Sequence, residues 1–148
     1  MILLLPMNID QIQNEIIEEF SLFSDWTEKY EYIIDMGKSL PLIDAGLKTD
    51  DNLIKGCQSQ VWLDAVIDDA GMVRFTADSD AIITKGIIAM LIRVLSGQTA
   101  DSIARTELFF IDKVGLQEHL SLTRANGLSM MVKKMKMYGL AFMAKSDS

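Results

Sequence analysis

The sequence predicts an α+β domain: a small antiparallel sheet packed against N- and C-terminal helices. Three observations carry that prediction. Apolar residues recur at helical spacing over 9–20, 26–34 and 123–143. The period changes to two over 61–67 and 73–77. Between the two period-two runs lie only residues 68–72, with the turn Asp68-Asp69-Ala70-Gly71, far too short for the crossover that parallel neighbours require.

In chain order, Asn8 or Asp10 caps a first helix. Ile9, Ile12, Ile16, Ile17 and Phe20 form its inner stripe, and Gln11, Glu15, Glu18 and Glu19 its wet side. Ser24 or Asp25 caps a second helix with Trp26, Tyr30, Ile33 and Ile34 inward, and Gly37 is its expected terminator. Residues 38–52 carry Pro41, Gly46 and Asp50-Asp51 without a sustained period and read as an irregular connection. Val61, Leu63, Ala65 and Ile67 then point to one side of a strand that pairs, through the turn, with the strand bearing Val73, Phe75 and Ala77.

Asp78-Ser79-Asp80 supplies expected caps for an apolar helix over 81–95 that stops near Ser96-Gly97. A helical turn is expected from Thr99, short elements around Phe109–Ile111 and Leu116–Leu122, and a last helix over about Thr123–Met143. In that helix Leu128, Met131, Val132, Met135 and Tyr138 face inward and Lys133, Lys134 and Lys136 outward. No repeat or low-complexity segment interrupts this order, so residues 1–148 read as one domain with an apolar N-terminal extension over 1–7.

Charge and composition narrow the function. A net charge of −7 repels a phosphate backbone, which argues against nucleic acid as a partner. The asymmetry is large: residues 1–52 hold 11 acids and 3 bases, residues 121–148 one acid and 5 bases. A locally basic face of this kind steers an acidic partner or is simply a solvated helix side. The longest apolar run, 81–95, contains Lys85 and Arg93 and falls short of the roughly 20 residues that span a bilayer. MILLLP lacks a basic flank and the length of a signal peptide, so no membrane association is expected and the cytoplasm is the expected compartment.

The chemistry centres on the only cysteine, Cys57, in IKGCQSQVW. It follows Gly56, precedes Gln58 and Ser59, and stands just before the first strand. One cysteine makes no internal disulfide, and with one histidine it cannot fill a zinc or iron–sulfur ligand set. Asp50, Asp51 and Asp64 are alternatives for a hard cation or a solvated loop. His119 is too remote in sequence to mark a cysteine–histidine hydrolase by itself. No P-loop or dinucleotide fingerprint is present. A lone accessible thiol can accept and hand on a group, since thiolate attack needs only access and a suitable pKa. A small buried hydrophobe is the alternative.

The segments DWTEKYEYIIDMGKSLP, LIKGCQSQVWL, FTADSDAIITKGIIAML and GLQEHLSLTRANGLSMM together resemble the SufE-like sulfur acceptors, which include the CsdE proteins. The resemblance spans about Phe23–Leu140. It implies a fold similar to that of SufE and of the IscU scaffolds, whose further cysteines this chain lacks. It also implies that Cys57 takes persulfide sulfur from a SufS/CsdA-type cysteine desulfurase, stimulates that enzyme and passes the sulfur to an iron–sulfur scaffold complex. The chain then binds no cofactor of its own, pyridoxal phosphate belonging to the desulfurase, and acts as a sulfur-transfer partner rather than a stand-alone enzyme, as a monomer or weak homodimer. By the same resemblance Gly56, Gln58 and Ser59 form the carrier loop, while Arg124 and, more weakly, Asp80 contact the partner. The residues alone leave Arg124 equally suited to an intrachain acid such as Asp80. They leave open, too, a binding module in which the thiol is incidental.

Overall fold

The computed structural model describes residues 7–146; the expected N-terminal extension lies, except for Met7, outside them. Helix α1 runs Ile9–Ser21 and opens on a reciprocal cap, in which Asn8 accepts from the Gln11 N–H and the Gln11 side chain accepts from the Asn8 N–H. Helix α2 runs Trp26–Lys38, with Asp25 accepting from the Glu28 N–H. Two 3₁₀ turns, Ala45–Leu47 and Asp50–Asn52, give the irregular connection its only helical character.

The hairpin forms as the alternation dictates. Strand β1 (Val61–Ile67) pairs antiparallel with β2 (Met72–Ser79), Val61 opposite Ser79 and Ile67 opposite Val73. Asp68 closes the turn by accepting from the Ala70 and Met72 N–H groups, and Gly71 takes the left-handed conformation the turn needs (φ +82°). A third strand, β3 (Gln98–Thr99), adds to the other edge of β2, giving the order β1-β2-β3. Two residues leave no alternation to read, so nothing in the sequence announces it. Val61, Leu63, Val73, Phe75 and Ala77 are buried on the face toward the helices, whereas Val66 and Arg74 are exposed.

Helix α3 (Ile82–Leu95) is buried nearly all round. Its start corrects the expected caps: Ala81 is the cap residue and no side chain bonds the first turn. Asp78, Ser79 and Asp80 are engaged elsewhere, Asp78 with Lys48 and Lys85, Ser79 with the Ala81 N–H, and Asp80 with Gln60. Gly37 is likewise not a terminator. It lies inside α2, where a Cβ would stand 3.0 Å from the Gly86 nitrogen of α3. Across the same contact a Cβ on Gly86 would come within 2.1 Å of the Ile33 carbonyl oxygen. The two glycines let α2 and α3 cross backbone against backbone. At the far end of α3, Arg93 bridges Glu15 and Glu19 of α1 and contacts the Tyr32 hydroxyl of α2.

The C-terminal third packs short elements against one long helix: α4 (Ala100–Arg105, capped by Thr99), α5 (Phe110–Lys113), α6 (Leu116–His119) and α7 (Leu122–Ser146). Leu128, Met131 and Met135 are buried as the helical stripe predicts, with Val132 and Tyr138 half-buried. Lys136 differs from expectation: its ammonium donates to the Thr106 carbonyl at 2.5 Å, tying α7 to the end of α4. Gln13, on an otherwise apolar stripe, is fully buried and ties α1 to the 107–110 segment, donating to the Glu107 carbonyl and accepting from the Phe110 N–H.

Gly86→Ala is expected to lower unfolding free energy by about 3 kcal/mol or more, because the backbone of α2 cannot retreat without losing its own packing. Gly46→Ala, with open space around the new methyl, should change it by less than about 1 kcal/mol. Urea unfolding of both variants checks the contrast.

Candidate functional site at Cys57

The loop carrying Cys57 is the tip of a second, smaller hairpin. Leu53 bridges Trp62 in antiparallel fashion and the Ile54 N–H donates to the Val61 carbonyl at 2.8 Å, which closes residues 55–60 into a loop on the entry to β1. Asp80 braces its C-terminal side twice. Its carboxylate accepts from the Gln60 N–H at 3.0 Å and its own N–H donates to the Gln60 carbonyl at 3.3 Å. Two register positions away, Asp78 faces Trp62 across the sheet and holds Lys48 and Lys85. Burial pushes the Asp78 carboxyl up, but the hydrogen bonds from Lys48, the Ser79 N–H and Lys85 outweigh it and leave its pKa below the usual range.

The loop tip rests on α7. Gly56 has φ +91°, a conformation that favours glycine, and a Cβ there would crowd the Met130 side chain at 3.0 Å. The Cys57 sulfur lies 3.7 Å from the Gly127 carbonyl oxygen and is half-buried against the core. Burial raises the thiol pKa above its ordinary value. The sulfur faces a cavity of about 300 Å³ whose walls are the loop (Gln58, Ser59), α3 (Thr84, Ile87) and the start of α7. From α7 come Thr123, Arg124, Gly127 and Met131, with Ser121 just before it.

Of the residues singled out from sequence, Cys57, Gln58, Ser59 and Arg124 therefore line one cavity, although Arg124 lies far along the chain from the loop. Gly56 shapes the loop from behind, and Asp80 braces its base without lining the cavity. Arg124 is exposed and, among the described residues, its guanidinium makes no ion pair, with Asp80 or any other acid; only its backbone N–H is held, by the Ser121 hydroxyl. His119 is no base for Cys57. Its ring stacks on Trp26 at 4.0 Å, Nδ1 lies 2.9 Å from the Gly115 carbonyl, and it is absent from the cavity wall. Among the described residues no three His, Cys, Asp or Glu side chains gather as a metal site, Asp50, Asp51 and Asp64 included.

Thr84, Ile87, Ser121, Thr123, Gly127 and Met131 were not visible as site residues. One signal existed: 124, 127 and 131 share a face of α7, as do 84 and 87 on α3. Only the tertiary crossing brings those two faces to the same thiol.

Comparison with known proteins identifies the family. The family described as SufE, Fe-S metabolism associated domain, matches residues 14–139. The chain belongs to the SufE family. A SufE-like protein of Rhizobium meliloti (strain 1021) is 39% identical over 127 residues, covering 83% of this chain and 91% of that protein. One from Rhizobium etli is 40% identical over 129 residues, covering 83% and 86%. SufE-like protein 1 of Arabidopsis thaliana, described as chloroplastic/mitochondrial, is 38% identical over 133 residues, which are 90% of this chain but 36% of that longer protein. A solution structure of a hypothetical protein from Thermus thermophilus shares the fold, with a TM-score of 0.75 at 16% identity over 90% of this chain and 96% of that one. Family membership associates the chain with iron–sulfur metabolism. No helix among the described residues is long and apolar enough to cross a membrane.

Because the thiol pKa is raised, the rate of Cys57 alkylation by iodoacetamide should inflect at a higher pH in the folded protein than in urea. Folding stability contributed by the protonated thiol is complete below the unfolded thiol's pKa and is lost as pH rises through the folded one. Asp80→Ala removes the acceptor of the Gln60 N–H. It should speed amide exchange at Gln60 and alkylation at Cys57 while leaving the exchange of α3 amides unchanged.

Proposed function

We propose that this SufE-family chain is a sulfur carrier. Its Cys57 accepts sulfane sulfur from the persulfide of a SufS/CsdA-type cysteine desulfurase, stimulates that enzyme by clearing it, and delivers the sulfur to an iron–sulfur scaffold complex. The observation that carries this reading is the position of the chain's one thiol. It sits at the tip of a glycine-hinged hairpin, half-buried, and among the described residues no histidine or metal-ligand cluster is committed to it.

In the transfer, the Cys57 thiolate attacks the outer sulfur of the donor persulfide. The new S–S bond forms on Cys57, the old one breaks, and its electron pair leaves with the donor thiolate. The proton lost by Cys57 passes to solvent or to the donor. A raised thiol pKa suits a resting carrier, because the protonated sulfur resists oxidation until a partner draws the loop out. Arg124, exposed and unpaired, is the side chain on this surface best suited to a carboxylate of the desulfurase. Asp80 acts by holding the loop base and is a weaker contact. Pyridoxal phosphate belongs to the desulfurase, and the reaction takes place in the cytoplasm, where a free thiol is kept reduced.

Incubation with desulfurase, cysteine and pyridoxal phosphate should add the mass of one sulfur to the peptide containing Cys57, and Cys57→Ser should gain none. Arg124→Ala should slow transfer by about tenfold through weaker docking, with Cys57 still labelled at saturating desulfurase. Unlabelled wild-type protein would refute the carrier role. Full stimulation of the desulfurase by Cys57→Ala would assign the chain instead to a regulatory binding module.

A further inference from the structure

The wall of the Cys57 cavity contains a polar group that its surroundings leave unused. Thr84 is 7% exposed, on a helix otherwise packed into the core, yet among the described residues its hydroxyl has no hydrogen-bond partner. It is not sealed off either, since no buried side-chain oxygen or nitrogen of the described residues lacks a partner. The hydroxyl therefore keeps its access through the cavity it lines. Thr84 is thus nine-tenths buried yet keeps a hydroxyl that no protein group among the described residues uses, a donor available to whatever occupies the cavity.

What surrounds it defines that occupant. Ser59, Thr123 and the Gln58 amide line the same cavity and make no side-chain hydrogen bond among the described residues. The Ser121 hydroxyl accepts from the Arg124 N–H and has its own proton to give. Arg124 adds an unpaired guanidinium, and the wall includes the N-terminal turn of the 25-residue α7, the positive end of its dipole. No carboxylate lines the cavity. This is a collection of donors with a positive charge, on a chain whose net charge of −7 otherwise repels anions. A volume of about 300 Å³ admits a small oxyanion and excludes nothing of that size. The one reactive atom in the wall is the Cys57 sulfur, so an oxyanion whose chemistry uses both halves of the site is a sulfur oxyanion.

We propose that the cavity is a sulfite-binding site, and that Cys57, when it carries sulfane sulfur, gives it up there to form thiosulfate. The transfer rests on Cys57 holding a persulfide, the same chemistry as the carrier reading. The lone pair on the sulfite sulfur attacks the outer sulfur of the persulfide. The S–S bond to Cys57 breaks, its electron pair returns to Cys57 as the thiolate, and the new S–S bond completes thiosulfate. The charge and the atoms balance, with no outside oxidant or reductant. The hydroxyls of Thr84, Ser59 and Ser121 and the Arg124 guanidinium hold the sulfite oxygens.

The test leaves the desulfurase out, so it stands or falls separately from the source of sulfur. Cys57 is loaded chemically with inorganic polysulfide, excess reagent is removed, and thiosulfate release is followed against sulfite concentration. The rate should saturate, and sulfate, an unreactive analogue, should inhibit competitively. Thr84→Val, which keeps the shape and removes the hydroxyl, should raise the half-saturating sulfite concentration by about tenfold, and Thr84→Ser should restore it. A rate that rises linearly with sulfite, or that is the same in wild type and Thr84→Val with circular dichroism unchanged, would overturn the proposal.

Discussion

The close crossing of α2 and α3 is the constraint on which the rest of the molecule depends. Helix α3 is apolar apart from Thr84, Lys85 and Arg93 and is buried over most of its circumference, so it is stable only when covered on nearly every side. Gly37 and Gly86 bring α2 onto it at backbone distance. The buried face of the sheet supplies Val73, Phe75 and Ala77, and α7 adds Leu128, Met131 and Met135 to the same core cluster. Arg93 then anchors the far end to α1 through a paired, half-buried charge network. Shifting that crossing would move the base of the hairpin and the wall of the cavity together.

The site inherits its geometry from this core while remaining separate from it energetically. The stem of the Cys57 loop is fixed by main-chain bonds to β1 and by Asp80, whereas among the described residues the tip has one long hydrogen bond, from the thiol to the Gly127 carbonyl at 3.7 Å. Several short hydrogen bonds at the stem and one long one at the tip make the tip the less firmly held part of the loop. The resting thiol is thereby shielded and protonated, and the helix that shields it is also the one that presents Arg124 at the surface. Gly127, which covers the thiol, and the exposed Arg124 lie one turn apart on α7.

Asp78 and Asp80 show how the tertiary structure reassigns residues that look interchangeable. Both stand before α3 and both have the chemistry of an N-cap. Yet the chain enters α3 through Ala81, and the acids are used to clamp Lys48 and Lys85 on one side and the Cys57 loop on the other. Lys136 is a parallel case, a residue on the wet side of a helix by period that reaches back to cap a carbonyl of α4. In each the competing partner is distant in sequence, so local pattern could not reveal it.

Read alone, the sequence determined the α+β class, the hairpin with its turn, the two N-terminal helices and the presence of one thiol just before the first strand. Each of these follows from a short-range period, a turn motif or the presence of a single cysteine, and such signals survive without knowledge of the fold. The tertiary structure alone decided that Gly37 sits within a helix crossing rather than at a helix end, that β3 exists, and that Thr84, Ser121 and Thr123 join Cys57 and Arg124 around one cavity. Those outcomes depend on which faces of separate elements meet, and that is set by packing of the whole core, a property no local stretch of residues contains.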